Sequence, residues 1–303
     1  MKLIVKADDF GYTKSYNDGT IDAIENGVVT VVDLMLDTPG AEDAMRRIRD
    51  YPWISVGWHG GHFWGRPVAD VHLVPSMVNS EGKFKWRRDR SLQKTVVYEE
   101  ALIEMRAEVE RCISIMGRAP QFTEVNGDSA MDRARKEVCS EYGIKHGFDE
   151  IHAMGKTILA DDEYKVCRIY KVDPGFQYPG ASNPEVSRQL AKGEKVDYRD
   201  DIARLKKEYH PIDHFLNYLK TDADLTYLSS WHPGYCDDYI GNESSMAYCR
   251  DIDVANLCSI ELKRWIIENH VELVNYEDAI YGFKNYQNHL RVIGSPLAFE
   301  PIK

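Results

Sequence analysis

The chain has 303 residues, of which 43% are hydrophobic and 11% aromatic, and this content excludes a disordered chain. Thirty-eight Lys and Arg against forty-nine Asp and Glu give a net charge of −11, which disfavours a nucleic-acid partner. No apolar run approaches the ~20 residues of a membrane-spanning helix, so we expect no membrane contact.

Short apolar runs alternate with stretches of helical periodicity, which predicts βα units. The predicted strands cover residues 3–7, 28–36, 54–57, 122–125, 224–230 and 271–275. The predicted helices are one capped by Ser15 that ends at Gly27, those over 41–48 and 97–116, one that starts near Ser129 and closes at Gly143, and one over 252–267.

Residues from about 160 to 220 differ from the rest of the chain. They are charged, poorly periodic and interrupted by Pro174, Pro179 and Pro184, which predicts an insertion. No repeat or linker divides the chain. We therefore predict one α/β barrel-like domain over residues 1–303, with an elaborated insertion at about 160–220.

The N-terminal segment and the cysteines bear on the compartment. The chain reaches Asp8 and Asp9 before an apolar signal-peptide stretch is complete. The six cysteines form no Cys-x-x-Cys pair, and a chain of this length does not need disulfide staples. We therefore expect a cytoplasmic protein with reduced thiols.

Polar side chains follow four of the predicted strands. In parallel α/β architectures the loops after the strands converge on one mouth, so these side chains are candidates for one active site. They are Asp8 and Asp9 after the first strand, His59 after the third, Glu124 and Asn126 at the end of 122–125, and His232 after 224–230.

The adjacent pair Asp8 and Asp9 suggests a division of labour. In a continuing strand their side chains point to opposite sides, but a turn at the strand end brings both to one pocket. One carboxylate can then bind a divalent cation while the other accepts a proton from metal-bound water. The alternative is a pair that caps a turn before Gly11.

The histidines also have structural interpretations. His59 and His62 fit either metal ligands or core histidines, and His62 fits a pocket wall as well. His232 precedes Pro233 and Gly234, a turn that exposes an imidazole at a rim. His210 and His214 have zincin spacing, but Pro211 stands between them where that motif carries its Glu, so we interpret them as surface residues. The glycines of 57–65 match no phosphate-binding motif.

Several segments share the signatures of one family. They are LIVKADDFG at 3–11 with Asn17 and Gly19, residues 27–35 with Pro39, VGWH at 56–59 with Gly65, Pro67 and Val68, residues 74–76 and 82–84, and WHPGY at 231–235 with Asp237. This pattern resembles the YdjC-like carbohydrate deacetylases, metal-dependent hydrolases that remove the acetyl group from N-acetylated sugars such as chitooligosaccharides. The resemblance spans most of the chain and is weakest in the predicted insertion.

The resemblance implies a deformed (β/α) barrel and a divalent cation, Mg²⁺ or Zn²⁺. It makes Asp9 and His59 metal ligands, Asp8 the base and His232 the acid, in a reaction where metal-activated water attacks an acetamide carbonyl. Around the same mouth the substrate-binding candidates are His62, Phe63, Trp64 and Tyr235. The implied partner is a small-molecule carbohydrate, and a homodimer stays open.

The chain departs from the family after the long helix. Where the family carries an Asp-Ser-His-His run, residues 122–128 read FTEVNGD and contain no histidine. Glu124 stands at the Asp position and Asn126 at that of the first His, and two oxygen ligands favour Mg²⁺ over Zn²⁺. Alternatively, His62 compensates for the missing ligand, or metal binding is weakened or lost.

Three functional hypotheses follow. The leading one is a metal-dependent deacetylase acting on an N-acetylated sugar or oligosaccharide. The second is a non-catalytic or altered-chemistry carbohydrate-binding relative that has lost part of the metal site, motivated by Asn126. The third is a metallohydrolase of a non-sugar amide or ester, because a scaffold does not dictate its substrate.

Overall fold

The computed structural model describes residues 1–60, 65–86, 89–125, 127–146, 157–159, 168–172, 181–218 and 226–300. The strands are β1 (Lys2–Phe10), β2 (Val31–Leu34), β3 (Ser55–Trp58), β4 (Phe122–Thr123), β5 (Thr157–Leu159), β6 (Arg168–Val172), β7 (Thr226–Trp231) and β8 (Glu272–Leu273). The helices are α1 (Lys14–Glu25), α2 (Ala41–Ile48), α3 (Tyr98–Met116), α4 (Ala130–Tyr142), α5 (Pro184–Ala191), α6 (Arg199–Glu208), α7 (Pro211–Tyr218), α8 (Asp238–Glu243), α9 (Cys249–Leu257), α10 (Ile260–Glu268), α11 (Tyr276–Tyr281) and α12 (Asn285–Val292).

One sheet of eight strands organises the fold. Its order is β4-β3-β2-β1-β7-β6-β5, and β8 pairs with the first residues of β1. Every pairing between these strands is parallel except that of β5 with β6. The prediction of an α/β protein with a mostly parallel sheet is confirmed, and β1 lies at its centre.

The two faces of β1 carry different chemistry. Leu3, Val5 and Ala7 belong to the large core cluster that includes residues of α1, α2, α3 and α4. Ile4 points to the other face and packs in a smaller cluster with residues of β2, β4, β7 and α11. Because side chains alternate along a strand, Lys6 and Asp8 continue the face of Ile4. A charged layer therefore lies next to an apolar one on this face.

The alternation changes phase near the end of β1. The pairing register with β2 shifts between Ala7 and Phe10, and both of these residues belong to the large core cluster although three positions separate them. Between them, Asp9 has a φ of 60°, in the left-handed region that is uncommon for residues other than glycine. This bulge is the local turn that lets the side chains of Asp8 and Asp9 approach the same site.

The helix predictions are confirmed in most places and wrong in two. The residue that caps α1 is Thr13 and not Ser15, because the Thr13 hydroxyl accepts a hydrogen bond from Tyr16 N at 3.1 Å. Helix α2 has the predicted bounds, and α3 ends at Gly117, whose φ of 86° is typical of a helix C-terminus. The single helix predicted over 252–267 is wrong, because the structure has α9 and α10 there. The chain breaks at Ser259, whose hydroxyl accepts a hydrogen bond from Leu262 N at 3.2 Å and so caps α10.

The described part of the predicted insertion contains one strand and three helices. β6 lies within 160–220 and pairs with β7, so this strand belongs to the central sheet. Residues 181–218 form α5, α6 and α7, all of ten residues or fewer. Leu205 and Tyr209 pack with Cys249 of α9, which ties the segment to the body of the protein. His210 is exposed, as expected of a surface residue. The single-domain assignment and a homodimer stay predictions.

Two further findings concern the compartment. Among the helices that the structure describes, none is long and apolar enough to cross a membrane. The described cysteines are free thiols, and they are Cys112, Cys139, Cys236, Cys249 and Cys258. The cytoplasmic location stays a prediction.

Candidate active site

Three of the predicted site residues meet at the carboxyl ends of β1 and β3. His59 directly follows β3, and its backbone N–H donates to Leu34 O at 2.9 Å, which fixes it beside the end of β2. His59 Nε2 lies 3.0 Å from Asp9 Oδ1. Asp8, Asp33 and His59 form a group whose ligand atoms all lie within 4.8 Å of one another. The described residues therefore contain a candidate metal site.

A buried arginine holds the other oxygen of Asp9. Arg250 Nη1 donates to Asp9 Oδ2 at 2.8 Å, and each of the two side chains is at most 5% exposed. Burial alone would raise the pKa of Asp9, but the charge of Arg250 and the hydrogen bond with His59 outweigh it and hold that pKa well below its usual range. Asp9 is therefore a permanent carboxylate.

Two aromatic rings and one backbone carbonyl fix this arginine. The Arg250 guanidinium lies 5.4 Å from the ring centre of Tyr12 and 5.2 Å from that of Tyr16. Its Nε donates to Met246 O at 2.6 Å. The hydroxyl of Tyr16 donates to Asp8 O at 2.8 Å, so the ring that packs on Arg250 is also bonded to the backbone of the bulge.

Opposing influences act on His59. Burial alone would lower its pKa, but the hydrogen bond with Asp9 and the charges of Asp8, Asp9 and Asp33 raise it to about 9. Its second ring nitrogen, Nδ1, lies 3.8 Å from Asp33 Oδ2. A carboxylate beside the distal nitrogen of a ligating histidine orients the ring and raises its basicity. Asp33 is in a position to do this for His59.

A lysine lies beneath the acidic residues of the site. Lys6 Nζ is 3.1 Å from Asp8 Oδ1, 3.0 Å from Asp33 Oδ2 and 2.9 Å from Glu124 Oε1. Its side chain is 2% exposed. Burial would lower the pKa of Lys6, but the charges of Asp33, Asp8 and Glu124 raise it well above its usual value. We call Lys6 with these three carboxylates the lysine cage.

His232 lies at the end of β7 in a buried position. Its backbone N–H donates to Asp253 Oδ2 at 3.0 Å, and the other oxygen of Asp253 accepts from the Tyr209 hydroxyl at 2.9 Å. Burial lowers the pKa of His232 to about 4, with Asp9 opposing the shift and Arg250 adding to it. The imidazole is therefore neutral at neutral pH.

The HPGY segment packs directly on α1. Thr20 Oγ1 donates to Pro233 O at 2.7 Å, and a Cβ on Gly234 would lie 2.0 Å from the ring of Tyr16. Only glycine allows this approach. The hydroxyl of Tyr235 donates to Asp22. The two ends of the recognised sequence pattern are thus in contact.

Four predicted site residues lie outside the described part of the chain, and they are His62, Phe63, Trp64 and Asn126. Sequence reasoning missed four residues that the structure brings into the site, and they are Lys6, Asp33, Arg250 and Asp253. Lys6 and Asp33 had a signal, since each is a lone charge inside an apolar run that was predicted as a strand.

The geometry at Asp9 and His59 fits a divalent cation. Two neighbouring ligand atoms in an octahedral shell at ~2.1 Å from the ion lie ~3.0 Å apart. Asp9 Oδ1 and His59 Nε2 are 3.0 Å apart through a hydrogen bond that a bound cation would replace, while Arg250 holds Asp9 Oδ2 and so favours a single metal-bound oxygen. The described residues thus supply one carboxylate and one imidazole here. Asn126 lies outside the described residues.

A second buried acidic group lies behind β3. Glu108 Oε2 accepts from Trp58 Nε1 at 3.0 Å, and Glu104 accepts from the backbone N–H groups of Val68 and Ala69 at 2.8 and 2.9 Å. Burial raises the pKa of Glu104 to about 7 and that of Glu108 well above its usual range, and the charge of Asp37 raises both further. We call Asp37, Glu104 and Glu108 the carboxyl cluster.

Fold and site together define an α/β protein with a mostly parallel sheet, in which carboxylates and histidines gather at the carboxyl ends of the strands. The chain belongs to the YdjC-like protein family, which it matches over residues 2–268. The resemblance found in the sequence is therefore confirmed.

Individual relatives extend this assignment. The chain is 26% identical over 287 residues to a carbohydrate deacetylase of Brevibacillus brevis, an alignment that covers 92% of this chain and 99% of the relative. It is 35% identical over 121 residues to a chitooligosaccharide deacetylase of Serratia marcescens, covering 39% of this chain and 46% of the relative. A solved structure from Enterococcus faecalis, named as a proposed cellobiose-phosphate cleavage protein, has a TM-score of 0.62 at 20% identity and covers 92% of this chain and 98% of its own. That structure supports the fold.

Proposed function

We propose that this protein is a carbohydrate deacetylase that hydrolyses the acetamide of an N-acetylated sugar or oligosaccharide, with a divalent cation bound by Asp9 and His59. The observation that carries the proposal is the meeting of Asp8, Asp9 and His59 at the ends of two parallel strands. The names of the Brevibacillus and Serratia relatives support the substrate class.

Each residue has a role in this reaction. A cation held by Asp9 and His59 would polarise the acetamide carbonyl and lower the pKa of a water molecule. Asp8 accepts a proton from the attacking water, the carbon–nitrogen bond breaks, and the leaving nitrogen takes up a proton from His232. Because the pKa of His232 is about 4 in the free protein, the imidazole starts neutral, and the proton that it passes to the leaving nitrogen is the one that Asp8 takes from the water. One water is consumed, and acetate and an amine are released.

The metal is Mg²⁺ or Zn²⁺ in this proposal. One carboxylate and one imidazole suit either ion, and an Asn126 oxygen as third ligand would favour Mg²⁺. Glu124 contacts Lys6 Nζ at 2.9 Å, so its charge is already balanced in the lysine cage. Elemental analysis of the purified protein, with titrations of both ions into metal-free protein, identifies the metal.

A cavity opens near the end of β2, and the described residues that line it do not include Asp8, Asp9, His59 or His232. It has a volume of about 790 Å³, within the range of small-molecule pockets, and it is lined in part by Asp37 and Thr38, which follow β2 on the same edge of the sheet. Tyr239 and Arg66 also line it and offer an aromatic surface and a hydrogen-bond donor. Tyr235 lies nearer α1, with its hydroxyl bonded to Asp22, and we keep it as a substrate-binding candidate.

Acetate release tests the proposal. The metal-free protein is assayed on N-acetylglucosamine and its oligomers, and on simple esters, before and after addition of Mg²⁺ or Zn²⁺. We expect acetate from the sugars only with metal, and none from Asp9→Asn or His59→Ala. Tight sugar binding that needs no metal and yields no acetate would instead support the non-catalytic carbohydrate-binding protein. Hydrolysis of esters alone would support the non-sugar hydrolase.

A further inference from the structure

Lys6 occupies an unusual position for a lysine. Its ammonium lies within 3.1 Å of three carboxylates that come from β1, β2 and the residue after β4. Fully buried lysines are rare unless they are paired, because removing an ammonium from water is unfavourable by several kcal/mol. The three carboxylates more than compensate the charge of the ammonium, and the ammonium offsets part of theirs.

Two of the residues that surround Lys6 belong to the group that could hold a metal ion. Asp8 and Asp33 belong, with His59, to the group whose ligand atoms lie within 4.8 Å of one another. Lys6 Nζ contacts Asp8 Oδ1 and Asp33 Oδ2 from this group at 3.1 and 3.0 Å. These are ordinary distances for an ammonium among carboxylates. A positive charge is therefore already present among these oxygens, and it is part of the chain.

The position between Asp9 and His59 differs from the lysine cage in its partners. Asp9 faces Arg250 on one oxygen and His59 on the other, and Lys6 forms none of the ion pairs found for Asp9. The two neighbouring aspartates, Asp8 and Asp9, thus serve two separate cation positions. One of them contains a lysine, and the other has the ligand spacing of a divalent ion.

We propose that the Lys6 ammonium is the resident cation of the Asp8, Asp33 and Glu124 cage, and that it confines a divalent ion to the Asp9 and His59 position. Lys6 is thereby a positioning residue, since it holds Asp8 in place from one side through an ion pair that no chelator removes. The protein binds one fewer divalent ion than its acidic residues would allow. This holds whatever the substrate of the enzyme is.

Replacing the lysine tests the proposal directly. In Lys6→Met the cage keeps its three carboxylates and loses its cation, so we expect it to take up a divalent ion. Calorimetric titration of metal-free full-length protein with Mn²⁺ should show one more equivalent for Lys6→Met than for the wild type, and electron paramagnetic resonance should show the added site. Lys263→Met is the matched control, because its ammonium bonds Asn26 O at the surface, and it should match the wild type.

A double variant locates the added ion. Lys6→Met with Asp33→Asn should lose the extra equivalent, since Asp33 is one of its ligands. A Lys6→Met protein that folds and binds the same number of Mn²⁺ ions as the wild type would overturn the proposal. If the wild type binds no Mn²⁺ and Lys6→Met binds one, the metal assigned to Asp9 and His59 and the confinement proposed for it are wrong, while the assignment of Lys6 as the cation of the cage stands.

A second comparison retains the lysine and covers the case in which Lys6→Met does not fold. With Lys6 in place, Asp9→Asn should abolish Mn²⁺ binding. Asp33→Asn should leave the number of equivalents unchanged and weaken the affinity by about 10 to 100-fold, because Asp33 faces the distal nitrogen of His59. The reverse result, with binding lost in Asp33→Asn and retained in Asp9→Asn, would put the divalent ion inside the cage and refute the proposal.

Discussion

The lysine cage and the carboxyl cluster solve the same physical problem in different ways. Both bring three carboxyl groups close together in a largely buried part of the protein. In the cage the fixed ammonium of Lys6 contacts all three and offsets part of their charge. In the carboxyl cluster no lysine takes part in the contacts that the structure gives for Glu104 and Glu108, and burial raises the pKa of both.

The difference distinguishes a region that can take part in the reaction from one that stabilises the fold. A carboxylate that pairs with a buried lysine is held in place and can serve as a base, as proposed for Asp8. A carboxyl group that holds its proton can instead bridge polar groups inside the core, as Glu108 does with Trp58. Of the two regions, only the cage contains a residue that is proposed to act in the reaction.

The largest expected effect is on kcat, and we expect it in the lysine cage and not in the carboxyl cluster. Asp8→Asn removes the proposed base and should lower kcat for acetate release by roughly 10²- to 10⁴-fold. Glu108→Gln replaces a buried carboxyl of the other region and should change kcat by less than about tenfold, since Glu108 contacts the indole of Trp58 and not the substrate. Steady-state assays on an N-acetylated oligosaccharide measure both. Equal losses in the two variants would remove the distinction.

The next effect concerns the lysine. Lys6→Met leaves the carboxylates of the cage without their cation and should lower the free energy of unfolding by about 3 to 5 kcal/mol. Urea denaturation in the presence of a chelator measures the change, and Lys263→Met should stay within about 0.5 kcal/mol of the wild type. A loss below about 1 kcal/mol would mean that the cage does not depend on its lysine.

The carboxyl cluster should show itself in the pH dependence of stability. The pKa of Glu104 is raised to about 7 in the folded protein, above its usual 4.5, so the native state keeps a proton that the unfolded chain releases. The resulting stability is fully present below about pH 4.5 and is lost as the pH rises to about 7, by an amount on the order of 3 kcal/mol. Glu104→Gln should flatten this slope in denaturation measured from pH 4.5 to 8. Glu99→Gln, on the exposed side of α3, should retain it, and identical slopes in all three proteins would contradict the assignment.

The smallest expected effect concerns an exposed group of ion pairs outside both regions, which serves as the reference for the stability of the cage. Arg106 pairs with Glu141 at 2.5 Å and with Glu137 at 3.2 Å, and all three side chains are at least 36% exposed. Exposed pairs contribute little, so Arg106→Ala should reduce the free energy of unfolding by about 0.5 to 1 kcal/mol, and high salt should shrink the difference. A loss comparable to that of Lys6→Met would show that burial is not what makes the cage strong.

The sequence predicted the elements whose signals are local. The apolar spacing of α3 and its stop at Gly117 gave that helix to within one residue, and the apolar runs located β1, β2 and β3. The convergence of Asp8, Asp9 and His59 followed from the parallel arrangement alone. The break between α9 and α10 was missed because the apolar periodicity continues across Ser259.

The residues that were missed act over long distances in the chain. Arg250 lies 241 positions after Asp9, and on a helix its charge looks like that of any solvated face. Nothing local indicates that it points inwards, because its direction is set by how α9 packs on α1. Lys6 and Asp33 were visible as charges inside strands, but their pairing became apparent only when the register of β1 with β2 was known.

The left-handed backbone at Asp9 determines how genetic results at this position should be interpreted. A φ of 60° is tolerated by aspartate, asparagine and glycine far better than by branched or bulky residues. A natural or laboratory variant at this position must first be compatible with the left-handed backbone before its effect on the chemistry can be seen. A library would therefore reject valine or isoleucine for reasons of shape alone, and the exchange to asparagine isolates the loss of charge with the least disturbance of the bend.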